Sequence, residues 1–204
     1  MKQKELSTFL EKGLHEMFQA EHQILEGLRL MQSKAATPSL KKAFQRHEKE
    51  TRNQIDRIID ACDCLGISYE EPKGSAVQKA LGKGKEILKD IAHLGSAHKM
   101  SSMHALLEEG KEMAERYKDL GSEVLDMALC GGAQQIELAE ISAYHLLCHF
   151  ARKLDEQEAF KLLEENLEEE KDMLSILTII HENELLDAHP KVAIHKKPQY
   201  AASR

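Results

Sequence analysis

The sequence predicts an all-α protein, a four-helix bundle with an extra two-helix excursion between the second and third long helices. Three observations predict it. Aromatic residues are only 4% of the 204 and Trp is absent, while the good helix formers Leu, Ala, Glu, Lys and Met dominate. Four Pro in the whole chain leave room for long uninterrupted helices. Four stretches repeat apolar residues at three- and four-residue spacing, and packing four such stripes together is the simplest way to bury them.

The elements follow from the turn signals. Helix one runs from about Leu6 to Ser33 and breaks at Ala35-Ala36-Thr37-Pro38. Thr37 or Ser39 can cap helix two, with Pro38 at a favoured early position. Helix two continues to about Leu65 and stops at Gly66. A loop containing Pro72 and Gly74 follows, then two shorter helical segments, about Ser75 to His93 and Ser101 to Asp119. Helix three spans about Ser122 to Leu154, and helix four about Glu156 to Leu186. The tail beyond Asp187 carries Pro190, Pro198 and several Lys and His without periodicity, and is expected to be loosely ordered or to dock on a neighbour. The domain expectation is therefore a bundle over 1–186, with 67–120 as its connecting segment, and a tail over 187–204.

Composition narrows the function. A net charge of −7 argues against a basic nucleic-acid-binding surface. No apolar stretch approaches the roughly 18 residues of a membrane span, and the charged start Met1-Lys2-Gln3-Lys4-Glu5 has no apolar leader core. The four cysteines, Cys62, Cys64, Cys130 and Cys148, form no CxxC pair and point to a reducing cytoplasm.

The informative feature lies on the stripes themselves. Helix one reads Leu10, Leu14, Met17, Glu21, Ile24, Leu28, Met31, and helix four reads Phe160, Leu163, Leu167, Glu170, Leu174, Leu177, His181. Helix three reads Cys130, Ala133, Glu137, Glu140, Tyr144, Leu147, Ala151, and helix two Leu40, Ala43, His47, Glu50, Gln54, Ile58, Ala61, Leu65. Every helix places acid near the middle of the face that should be core. Lone ionised carboxylates there would cost many kcal/mol, and clustered ones raise one another's pKa. Two divalent cations remove the conflict. A recurring di-metal bundle design takes one Glu from each of two helices and a Glu-x-x-His from each of the other two. Here the set is Glu21, His47 with Glu50, Glu137 with Glu140, and Glu170. Taken singly, each residue has a plainer reading: Glu170 closes a solvated run with Glu168 and Glu169, His47 sits in the polar run Arg46-His47-Glu48-Lys49, and Glu137 with Glu140 could be an exposed pair. The conjunction on four helices favours the metal site, and oxygen-rich ligation favours iron or manganese over zinc or copper.

Phe18 to Leu25, His47 to Arg57, Gln135 to Tyr144 and Leu163 to Lys171, with Met103 to Glu112 more weakly, form a recognisable set. These segments resemble the YciE/YciF-like ferritin-like proteins, a bacterial family. The resemblance extends in order and rough spacing to about residue 186. It implies a ferritin-like bundle, a dinuclear metal site, homodimers, and Glu21, His47, Glu50, Glu137, Glu140 and Glu170 as ligands. Residues from about Lys73 to Met100 read as an insertion relative to shorter members, and Glu170 lacks an acidic or His partner one turn on.

The leading functional expectation is a di-iron or manganese protein with a redox or oxidative-stress role, such as oxidising Fe(II) or reducing a peroxide. The alternative is a non-enzymatic helical scaffold that retains the bundle. A storage cage is disfavoured by the bulk of the insertion and tail, and a rubrerythrin-type enzyme by the lack of a four-thiolate set. Tyr144, one turn beyond Glu140, reads as a core residue whose hydroxyl bonds a ligand carboxylate. His145 and His149 are four apart with Cys148 between them, a spacing that could bind zinc, but no acidic or thiol partner is visible nearby, so the pair reads as surface or interface histidine.

Overall fold

The computed structural model describes residues 3–69, 116–117 and 121–186. These form four long helices: α1, Gln3–Lys34; α2, Pro38–Leu65; α3, Ser122–Leu154; and α4, Gln157–Ile180. The two shorter helices expected between α2 and α3, apart from residues 116–117, and the expected tail lie outside the described residues. α1 packs on α2, α2 on α4, α4 on α3 and α3 on α1, which closes the four-helix ring. On the last of these contacts α1 presents Gly13, where a Cβ would stand 2.5 Å from the Leu147 Cδ2.

The ends of the helices are made differently from one another. α2 stops as its Gly66 signal predicts: Gly66 takes φ 67°, its N–H reaches the Asp63 carbonyl at 3.1 Å, and the Ile67 N–H reaches the Cys62 carbonyl at 2.9 Å. α3 ends in the same hydrogen-bond pattern with Asp155 at φ 65°, so two residues, Asp155 and Glu156, suffice to reverse the chain into α4.

The start of α2 departs from expectation. Thr37 is the N-cap, but neither its hydroxyl nor that of Ser39 supplies the cap. Instead Asp126, buried on α3, accepts hydrogen bonds from the Ala36 N–H at 2.8 Å and the Thr37 N–H at 2.6 Å. A carboxylate from a third helix thus serves orphan donors at an N-terminus, where the helix dipole also favours negative charge.

The end of α4 departs too. The helix expected to reach Leu186 changes at His181–Leu185 to a π-helical turn, closed by the Leu186 N–H on the His181 carbonyl at 3.0 Å. Core positions at Met173, Leu177 and Ile180 would bring Glu184 inward next at α-helical spacing. The wider turn lets Leu185 into the core instead, 5% exposed, and leaves Glu184 free to accept from the Ser39 hydroxyl at 2.5 Å. On α4 the core residue is also Met173, rather than its neighbour Leu174.

The core is split. One apolar half holds Ile24, Leu28, Leu40, Phe44, Leu129, Ala133, Met173 and Leu177. The other holds Leu10, Leu14, Phe18, Ile58, Tyr144, Leu147 and Leu163. Between them lies a layer that is polar on every helix.

Candidate metal centre

That layer is built by one stretch of each helix. Glu21 comes from α1; His47, Glu50, Thr51 and Gln54 from α2; Glu137 and Glu140 from α3; Asn166 and Glu170 from α4. The i,i+3 spacing puts His47 with Glu50, and Glu137 with Glu140, on the same inward face. All are buried, at 0–1% exposure, except Glu50, whose side chain is 14% exposed. The plainer readings of Glu170 as solvated and His47 as a surface residue therefore fail. Glu137 and Glu140 are likewise not an exposed pair.

The six residues singled out in the sequence converge unevenly. Ligand atoms of His47, Glu137, Glu140 and Glu170 lie within 4.8 Å of one another. His47 Nε2 stands 3.1 Å from Glu137 Oε1 and 3.7 Å from Glu170 Oε2. Glu21 stands beside this group, its carboxyl against that of Glu140. Glu50 is at the rim: its Oε1 accepts from Arg46 at 2.6 Å, and its Oε2 is 3.9 Å from His47 Nδ1.

The electrostatics are those of a layer short of positive charge. Burial pushes the Glu21 carboxyl up to about 7, against the opposing pull of the Tyr144 hydroxyl. Burial, reinforced by neighbouring carboxylates, drives Glu140 and Glu170 well above the ordinary carboxylate range. Burial alone would lower His47, but the adjoining Glu137, with Glu50 and Glu140, holds it well above its ordinary value. Glu50 ends below the usual range: its burial is outweighed by the neighbouring His47 and by Arg46, which donates to it.

These residues fit divalent cations on the chemistry of their free atoms. Among the described residues, Glu21 Oε2, Glu137 Oε2, both Glu140 oxygens, Glu170 Oε2, Glu50 Oε2 and both His47 nitrogens are buried without a hydrogen-bond partner. Buried polar atoms are ordinarily satisfied. Orphans gathered at one place, nearly all of them hard oxygens, are what a hard or borderline cation requires. Protein donors already hold the other oxygen of three of these carboxylates, with Arg46 on Glu50 Oε1 as above. The Tyr144 hydroxyl donates to Glu21 Oε1. Gln54 Nε2 donates to Glu170 Oε1 at 2.5 Å.

Two participants were not visible in the sequence. Asn166, wholly buried, donates to the Tyr144 oxygen at 3.0 Å and to the Gln54 carbonyl at 3.3 Å. It is not on the stripe read for helix four, and only its place four residues before Glu170 hints at it. Thr51, also wholly buried, adds a hydroxyl without a partner among the described residues. His145 and His149 stand apart, exposed on a groove between α3 and α4. Contrary to expectation, Cys148, Glu164 and Glu168 line that groove with them. Arg152 and Lys171 engage the two carboxylates, at 3.8 and 2.7 Å.

A family described as a domain of unknown function, DUF892, matches residues 5–98 and again residues 91–188. The chain belongs to the DUF892 family. Among its relatives, protein YciF of Escherichia coli strain K12 is 30% identical over 158 residues, 78% of this chain and 79% of that protein. The crystal structure of the E. coli stress protein YciF superposes with a TM-score of 0.72 at 26% identity, covering 90% of this chain and 98% of that one. YcfI of Rhodopseudomonas palustris gives 0.67 at 25% identity, over 87% and 94% of the respective chains. This DUF892 chain thus has the helical fold of YciF, in keeping with the ferritin-like bundle that its four motifs implied.

Proposed function

We propose that this DUF892 protein is a dinuclear metal protein, holding two divalent ions of iron or manganese, with a redox role in the response to oxidative stress. One observation carries the reading: buried, partnerless carboxylate oxygens and imidazole nitrogens converge from all four helices on one layer. His47, Glu137, Glu140 and Glu170 form the nucleus of the centre, with Glu21 and Glu50 completing it. Such ions, when bound, supply one-electron redox chemistry, and the apolar halves above and below restrict access of bulk water. The stress role is carried over from the printed description of the E. coli relative. Action as a homodimer in the cytoplasm belongs to the same proposal, and the four free cysteines support the reducing compartment.

Elemental mass spectrometry of the purified protein tests the reading. The wild type is expected to carry iron or manganese, and Glu137→Ala and His47→Ala to lose most of it. Chelation is expected to lower the melting temperature of the wild type, because a ligand that binds only the folded state stabilises it. A folded, monodisperse wild type that takes up no transition metal and melts unchanged after chelation would leave the scaffold reading in its place.

A further inference from the structure

The hydrogen bonds around Glu21 run in one direction, and that direction is set at the surface. Arg57, on α2, is partly exposed and can only donate. Its Nη1 reaches Asn166 Oδ1 at 2.7 Å, while its other nitrogens meet Glu169 and Glu165 at 2.5 and 3.1 Å. A guanidinium against Oδ1 fixes which way the Asn166 amide faces, so Nδ2 is the end that points inward. Nδ2 donates to the Tyr144 oxygen, which directs the hydroxyl proton away from Asn166 and onto Glu21 Oε1. Glu21 Oε2 is left buried, without a partner among the described residues, and the Glu21 carboxyl lies against Glu140. No link in this string can reverse while Arg57 stays in place.

We infer that Arg57 and Asn166 are positioning residues of a second cation position: they hold the Tyr144 hydroxyl on one oxygen of Glu21 and reserve the other, with Glu140, for an ion distinct from the one at His47. The inference rests on the metal-binding reading above. It makes the two ions unequal. The first position is already assembled from four ligand atoms, whereas the second depends on a three-residue string that reaches the surface. Groups that orient metal ligands in this way are worth roughly 10–100-fold in affinity.

Asn166→Asp is the discriminating variant. An aspartate keeps the contact with Arg57 but replaces the Nδ2 donor with an acceptor, so the Tyr144 hydroxyl turns toward it and leaves Glu21. The experiment is a calorimetric titration of chelator-stripped, full-length protein with Co(II) at neutral pH, with the bound equivalents counted by mass spectrometry. The wild type is expected to take two equivalents. Asn166→Asp and Tyr144→Phe are expected to keep the first at unchanged affinity and to bind the second at least roughly tenfold more weakly. The ratio of the two affinities is the readout, since a purely structural role would move the melting temperature but not that ratio. Should either internal variant fail to fold, Arg57→Lys, at a partly exposed position, is expected to lower the second affinity in the same sense. Folded variants that titrate like the wild type would overturn the inference. A wild type that binds a single equivalent overturns it too and leaves the metal-binding reading standing, whereas a wild type that binds none removes both.

Discussion

Glu140 has neither carboxylate oxygen satisfied and no exposure to water. In the metal-free protein it is therefore a net cost, and burial has already driven its pKa well upward. Neutral replacement should relieve that cost. Glu140→Gln is expected to stabilise the chelated protein by about 1–3 kcal/mol, measured by denaturant unfolding near pH 8, while lowering its affinity for metal. A single substitution that moves stability and binding in opposite directions separates a ligand from a packing residue. The convergence of such acids was readable because a 3–4 stripe reports direction: one polar residue in an apolar row must point inward with its neighbours. Asn166 and Arg57 were not readable. Their partners are as far as 112 residues away in sequence, and neither Asn nor Arg at mid-helix differs on its face from a solvated position.

At the scale of elements, the α1–α2 turn depends on α3. Asp126→Ala removes the acceptor from two backbone N–H groups at the start of α2 and is expected to cost about 1–2 kcal/mol, read from the denaturant midpoint. Asp126→Asn keeps an acceptor for one of them and should cost less. The sequence pointed to a local hydroxyl cap because local signals are all that spacing can show; a cap supplied 89 residues downstream leaves no mark near Thr37. Gly66, by contrast, was legible, since its left-handed conformation is a demand made by the helix end itself. Asp155 meets the same demand with a residue that tolerates it less well, and the π turn at His181–Leu185 adds one residue to the repeat. Both escape a reading based on ideal periods.

At the scale of the molecule, the polar layer gives stability a pH dependence of defined sign. Glu21, Glu140 and Glu170 have folded pKa values above the ordinary carboxylate range, Glu21 at about 7. His47 is likewise raised. Groups raised on folding contribute their stability below the unfolded pKa and lose it as pH climbs through the folded one. The metal-free protein should therefore be less stable at pH 8 than at pH 5. Glu50, lowered instead, acts only on acidification below its unfolded value and does not offset this trend. Saturating metal should reverse the order, because cations bind the deprotonated ligands. Guanidinium titrations of chelated and loaded protein at the two pH values check both signs.

The layer also settles how the four rods are aligned lengthwise. Apolar side chains are interchangeable partners, and a seam made of them alone tolerates one helix sliding a turn along its neighbours. Here a slide of one turn, about 5.4 Å, would carry a glutamate out of the layer and into hydrocarbon above or below it. The acids thus act as a vernier for the bundle, penalising every alignment but one, and the same residues that cost the empty protein stability give it a single registry.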